Sequence, residues 1–229
     1  MGIRPLIAGR FGTGLHGSDL IWMQPVATPD SGLWHWLAAG TVLACWALFA
    51  VVWLLGAIYN WRRAPAVRER SAAVSPWLMG TAAVLVLTRV VPDRIWRPIT
   101  VDARWLVVAG PIGAALLVVA TAFTLWARTA LGTMWTSAAV VKDDHVLRTD
   151  GPYKITRHPI YTGLLGMLAG TALIDGLGRW VAFFILGVLL VGVKIRAEER
   201  LLKCTLGAAH DQYRHRVPLL IPRLRAGPK

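Results

Sequence analysis

The chain has 229 residues, of which 55% are hydrophobic and only 16% charged, with a mean hydropathy of +0.52. A soluble domain carries roughly 25% charged residues, so the composition points to a membrane protein. The net charge of +13, from 25 Lys+Arg against 12 Asp+Glu, fits positive-inside loops against anionic lipid; no aromatic-basic RNA motif, zinc finger or helix-turn-helix pattern accompanies it, so nucleic acid is not an expected partner.

Residues 1–32 are Gly/Pro-rich and weakly patterned, and are expected to form a loose or interfacial arm. They lack the apolar core and small-residue cleavage site of a signal peptide. Five apolar segments follow. The first, Leu33 to Tyr59, contains no Lys, Arg, Asp or Glu and exceeds the roughly 20 residues a bilayer requires. The second runs from Pro76 to Val91 and is interrupted by Arg89, and the third from Trp105 to Ala127. The fourth, Ile160 to Ile174, and the fifth, Trp180 to Val193, are short for full spans. Between them "DGLGR", Asp175 to Arg179, reads as a tight turn with two glycines, making the pair a helical hairpin across most of the bilayer. The expected class is therefore an all-α integral membrane protein of about five transmembrane helices. It divides into an arm (1–32), N-terminal spans (33–127) and a C-terminal core with its hairpin and basic tail (128–229).

Loop charge sets the orientation. Arg62, Arg63, Arg68 and Arg70 follow the first segment, and Arg128, Lys142, Arg148, Lys154 and Arg157 follow the third. Nine Lys+Arg lie in the tail from Lys194 on. With five spans this places the N-terminus outside and the C-terminus in the cytoplasm. Arg94, Arg97 and Arg104 in the outer loop oppose that assignment and are outvoted by the tail. Arginine outnumbers lysine 20 to 5 and alanine is abundant, a pattern of GC-rich genomes that points to a bacterial inner membrane. The two cysteines, Cys45 and Cys204, form neither a C-x-x-C pair nor a metal spacing, so no disulfide framework and no metal site are expected.

Chemically capable residues gather in 128–163 and in "KIRAEERLLK", 194–203. In "GPYKITRHPIYTG" (151–163) Pro159 suits the first turn of a helix. Its neighbours then stand at a helix N-terminus, where free N–H groups and the dipole favour an anion. Arg157 adds a fixed fork for a carboxylate or phosphate, and His158 and Tyr161 add hydrogen-bonding groups. Gly151, Pro152 and Gly163 let backbone approach a ligand or another helix. The competing role for Arg157 and Tyr161 is anchorage in the headgroup region.

A hairpin of two 15-residue helices goes out and back by roughly 22 Å each way, so Arg157 and His158 should meet Glu198 and Glu199 on one side of the membrane. The two glutamates are about 100° apart on a helix; one is expected to turn inward and the other toward solvent. Ordinary i,i+4 pairing, Lys194 with Glu198 and Glu199 with Lys203, is the plainer alternative. His145, after Asp143 and Asp144, reads by itself as a surface histidine, and Trp135 as an interface residue or a cover over a ligand.

"LGTMW" (131–135), "HVLRTDGPYKITRHPIYTG" (145–163), an apolar hairpin, "EERLL" (198–202) and "YRHRVPLLIP" (213–222) come in that order. Together they resemble the isoprenylcysteine carboxyl methyltransferase family and its broader bacterial and phospholipid methyltransferase relatives, over residues 128–224. The resemblance implies a multi-span methyltransferase that binds S-adenosylmethionine at the cytosolic end of its C-terminal helices and takes a lipophilic acceptor from the bilayer. Matching motif positions assign His145, Gly151, Pro152, Tyr153, His158, Pro159, Tyr161, Gly163, Glu198 and Glu199 to the cofactor. Arg157 and Glu199 take the catalytic role, and Trp135 and Arg214 the substrate side. The sequence departs from the family where relatives show Phe-Gly-x-x-Tyr: it reads "LGAAHDQY", with Leu206 and His210 at the aromatic positions. Membrane sterol- and steroid-type reductases using NADPH share an Arg-His-Pro-x-Tyr arrangement and form the second reading. A non-enzymatic membrane scaffold is the third.

Overall fold

The computed structural model describes residues 31–63, 67–70, 103–132, 140–142 and 147–221. The expected second segment, residues 1–30 of the N-terminal arm, His145 and Trp135 lie outside them, and Ser31 and Gly32, expected in the arm, open the first helix instead. Within them the chain forms α1 (Ser31–Arg63), β1 (Val67–Arg70), α2 (Ala103–Leu131), β2 (Val140–Lys142), a 3-10 turn (Gly151–Lys154), α3 (Pro159–Ile174), α4 (Gly178–Leu206) and α5 (Ala208–Arg216). The helices dominate. β1 and β2 add a small antiparallel ribbon that pairs Val67 with Lys142 and Arg70 with Val140.

Among the described residues, three helices are long and apolar enough to cross a membrane: Leu33–Asn60, Val107–Leu131 and Gly178–Leu206. Their outward faces carry side chains that a soluble protein would bury, among them Leu43, Leu54 and Leu55 on α1, Val107 and Val119 on α2, and Ile185 and Leu189 on α4. Such helices fit hydrocarbon on one side and protein on the other. α4 corrects the expectation that the fifth segment is too short. Its 29 residues rise about 43 Å because the helix does not stop at Val193; it runs on through the charged "KIRAEERLLK". Arg128, counted above among loop charges, sits in the last turn of α2 and is buried.

α2, α3 and α4 are held at close range by small residues. A Cβ on Gly170 of α3 would stand 2.8 Å from both the Gly113 carbonyl oxygen and the Leu117 backbone nitrogen of α2. One on Gly163 would overlap Thr124 Oγ1 and lie 2.9 Å from the Ala120 carbonyl oxygen. Of the two roles open to Gly163 in the sequence, the structure fills the helix-contact one. With no hydrophobic drive between helices in lipid, this close backbone approach supplies the van der Waals contact that associates them. Leu117, Ala120, Met167 and Ile174 join Ala38 and Cys45 of α1 in one cluster. Hydroxyls near it are satisfied locally, Thr124 and Thr121 by carbonyls one turn back at 2.7 Å, and Trp46 Nε1 donates to Thr171 Oγ1 at 3.1 Å.

α3 and α4 are antiparallel neighbours joined by Asp175–Leu177. Gly176 at φ 79° takes the left-handed conformation that makes this reversal short. The Leu177 amide then donates to the Ala172 carbonyl at 2.7 Å. Gly207, at φ 50°, stops α4 and re-aims the chain into α5.

Replacing Gly170 with valine should force α2 and α3 apart at a cost of about 1–3 kcal/mol. The check is the unfolding midpoint in detergent, which should fall; an unchanged midpoint would mean that the backbone contact contributes nothing to association.

Candidate functional site

Pro159 starts α3, as expected, with His158 at the preceding position. The chain just ahead of the helix is fixed by an extended stretch that follows α5. The Arg157 amide donates to the Pro218 carbonyl at 2.9 Å and the His158 amide to that of Leu219 at 3.2 Å. Thr156 Oγ1 donates to Leu219 O at 2.7 Å and Thr162 Oγ1 to Leu220 O at 2.8 Å. The C-terminal motif thus belts the entry to α3 and sets the backbone from which Arg157 and His158 project.

Opposite them, the C-terminal turns of α4 bring in both glutamates. Arg157 Nη1 donates to Glu199 Oε2 in a buried ion pair, the two side chains being 10% and 16% exposed. His158 bridges the pair of carboxylates, with Nε2 3.0 Å from Glu199 Oε1 and Nδ1 3.6 Å from Glu198 Oε2. Tyr161 donates to Glu198 Oε1 at 2.8 Å and stacks on the His158 ring at 5.7 Å between centroids. Lys194, itself buried, reaches the same Glu198 oxygen at 3.1 Å.

This corrects the expectation that one glutamate faces solvent. The 100° between them is absorbed by His158, which stands between the two directions with a ring nitrogen for each. Of the i,i+4 pairs expected, Lys194–Glu198 forms, while Glu199 turns to Arg157. Tyr161 is buried against Glu198 and is no headgroup anchor.

α5 closes the site from below. His210 and Tyr213 face inward. His210 is 1% exposed, with Nε2 3.6 Å from Glu199 Oε1. Arg214 Nε lies 3.4 Å from Glu199 Oε2, and its Nη1 3.7 Å from Asp211. Burial lowers the affinity of the His210 imidazole for a proton; Glu199 opposes that effect, while Arg157 and Arg214 add to it. Among the described residues, three buried nitrogens in this cluster have no hydrogen-bond partner: Arg157 Nε and both ring nitrogens of His210. Buried polar atoms are nearly always paired, so these mark a place where a further polar group fits.

The Gly151-Pro152-Tyr153 turn, expected to line the cofactor, is occupied with holding the scaffold. Gly151 takes φ 55° beside Trp126. Tyr153 donates to the Ala127 carbonyl at 3.4 Å and its own carbonyl accepts from Tyr213 at 2.6 Å. Burial pushes both phenols up, away from ionisation near neutral pH. The turn therefore ties α2 to α5 and supports the site from behind. The structure brings together Arg157, His158, Tyr161, Glu198 and Glu199, which the sequence placed at one mouth, with Arg214, which the sequence set apart on the substrate side, and it adds Lys194 and His210. Lys194 carried a signal, being four residues from Glu198. His210 appeared only as a mismatch to the family pattern.

The sequence pattern of residues 113–204 matches the isoprenylcysteine carboxyl methyltransferase family. The match begins within α2, ahead of the expected residue 128, and ends before the C-terminal motif. A protein-S-isoprenylcysteine O-methyltransferase of Schizosaccharomyces pombe is 37% identical over 82 residues, 34% of each chain. A methanethiol S-methyltransferase of Bradyrhizobium diazoefficiens is 40% identical over 80 residues, 34% of this chain and 30% of its own. The cobalt-zinc-cadmium resistance protein CzcN of Cupriavidus metallidurans is 30% identical over 96 residues, 41% of this chain and 44% of its own. The aligned part thus spans about a third of the first two relatives and under half of the third.

Removing one partner of the Arg157–Glu199 pair strands a buried charge, which costs about 3–5 kcal/mol. Glu199→Leu should therefore lose more stability in a detergent unfolding titration than the double change Arg157→Met with Glu199→Leu. Equal losses would mean that the pair is solvated. Over residues 113–204 this chain is similar to the isoprenylcysteine carboxyl methyltransferase family.

Proposed function

We propose that this protein is an integral membrane methyltransferase that moves a methyl group from S-adenosylmethionine to a lipophilic acceptor at the cytoplasmic face. The observation that carries the reading is the convergence of Arg157, His158, Tyr161, Glu198, Glu199 and Arg214 at the mouth of α3. A ligand with a carboxylate, an ammonium and a sulfonium needs acidic and basic groups side by side, and the buried Arg157 Nε, which makes no hydrogen bond among the described residues, fits its polar end. When bound, S-adenosylmethionine supplies an electrophilic methyl carbon whose bond to sulfur breaks as the bond to the acceptor forms.

The chain's own residues then have limited tasks, since an in-line displacement depends mainly on positioning and exclusion of water. Arg157 offers its planar fork to a carboxylate. The Glu198 and Glu199 carboxylates face the cationic end. Tyr161 and Lys194 hold Glu198, and His158 keeps both glutamates in register. A carboxylate acceptor of an isoprenylated or other lipid-like molecule needs no base; an acceptor that carries a proton would give it to His158 or Glu199.

The family resemblance supports methyl transfer more than any one acceptor. The printed names of two relatives specify O-methylation of an isoprenylcysteine protein and S-methylation of methanethiol. The exposed apolar faces of α1, α2 and α4 favour an acceptor that arrives from the bilayer. The basic tail favours a cytoplasmic site with the N-terminus outside, in a bacterial inner membrane.

Purified protein incubated with radiolabelled S-adenosylmethionine and a membrane lipid extract should transfer label to an organic-soluble fraction. Binding of NADPH in place of S-adenosylmethionine would reassign the site to reductase chemistry, and binding of neither would leave a scaffold. Arg157→Ala should weaken S-adenosylmethionine binding by about tenfold to a hundredfold, the worth of a hydrogen bond to a charged group, or abolish turnover. Unchanged binding and turnover would remove Arg157 from the site.

A further inference from the structure

His210 is the buried imidazole for which neither the fold nor the proposed reaction yet has a use. Resting on the reading of this cluster as an S-adenosylmethionine site, a conflict follows from the geometry. Arg157 is already committed to Glu199, so a ligand carboxylate that engages its fork competes with Glu199 for the same guanidinium. Glu199 is only 16% exposed, and water cannot fully replace the lost partner. Three other cationic or ionisable groups surround it: His158 at 3.0 Å, Arg214 at 3.4 Å and His210 at 3.6 Å. His158 is shared with Glu198, and Arg214 is shared with Asp211 and is 43% exposed. Neither ring nitrogen of His210 makes a hydrogen bond among the described residues.

We propose that His210 is a positioning residue that takes over Glu199 when Arg157 turns to the carboxylate of the bound ligand. A movement of well under 1 Å brings Nε2 from 3.6 Å to hydrogen-bond distance. The charged groups that face the imidazole are Glu199 from α4, Arg157 from the segment before α3, and Arg214 and Asp211 from its own helix. Neutralising Arg157 by a ligand carboxylate removes a repulsion, while Glu199 remains as an attraction. The imidazole then gains a proton from solvent as the ligand binds. The exchange lets one carboxylate leave its arginine without becoming a buried, unpaired charge.

The test compares two nucleosides on the full-length protein in detergent. S-adenosylhomocysteine carries the amino-acid carboxylate and 5′-methylthioadenosine lacks it. His210→Phe should weaken the first by about tenfold, one charged hydrogen bond, and leave the second within about twofold; His210→Gln, which keeps a donor, should restore the first. Calorimetry of the wild-type protein near pH 6.5, in buffers of different ionisation heat, should show proton uptake with S-adenosylhomocysteine and none with 5′-methylthioadenosine. The calorimetry decides the matter if the Phe variant does not fold. Equal losses for both ligands, no loss for either, or no proton uptake overturns the exchange. A wild-type protein that binds S-adenosylhomocysteine with no such selectivity leaves the cofactor site standing without it, and one that binds neither nucleoside takes down both readings.

Discussion

The buried ion pair between Arg157 and Glu199 is the constraint around which the C-terminal half is arranged. Neither charge is stable in a low-dielectric setting without the other, and neither residue can reach its partner unless three separate elements are in place. α3 must start at Pro159, so that Arg157 projects from just outside its first turn. The reversal at Gly176 must return the chain beside α3, so that Glu199 comes level with it. The stretch Pro218–Leu220 must lie against residues 156–162, because its carbonyls fix the backbone of Arg157 and His158. A site that depends on all three is also a device that holds them in one register.

That dependence explains the contrast between the two ends of the α3–α4 pair. At the turn, Asp175 and Trp180 are linked by a single exposed hydrogen bond. At the other end, His158, Tyr161, Lys194, Glu198 and Glu199 form a continuous set of charge-assisted contacts. Polar groups near a bilayer tend to be functional because each carries a desolvation cost that apolar residues avoid. The clustering of that cost at one end of one helix pair is the physical argument for a ligand there.

Much of this was legible in the chain. Apolar length gave the bounds of α1, α2 and α3 to within a few residues. Proline at a helix start, glycines in a turn and equal rises out and back placed Arg157 and His158 opposite the glutamates. Apolar length failed at the end of α4, since it stops at Val193 whereas the buried partners of Lys194, Glu198 and Glu199 carry one continuous helix on to Leu206. Periodicity failed for the glutamate pair, because an angle of 100° excludes a shared direction only when no third group sits between. His158 is that group, and its two ring nitrogens are invisible in a helical wheel. Gly163 shows a different limit: small size signals close approach, but only the structure says that Thr124 and Ala120, rather than a ligand, do the approaching.

His210 and Arg214 lie beyond the part that carries the family pattern, which ends at residue 204, yet both come within 3.6 Å of Glu199. The site therefore has two components with different origins. Arg157, His158, Tyr161, Lys194, Glu198 and Glu199 belong to the shared segment and define where charge is held. Of the α5 residues, His210 stands where the chain departs from the pattern and Arg214 lies in the C-terminal motif, and both reach Glu199 from a different helix. Relatives whose names specify different acceptor atoms, oxygen and sulfur, are consistent with such a division.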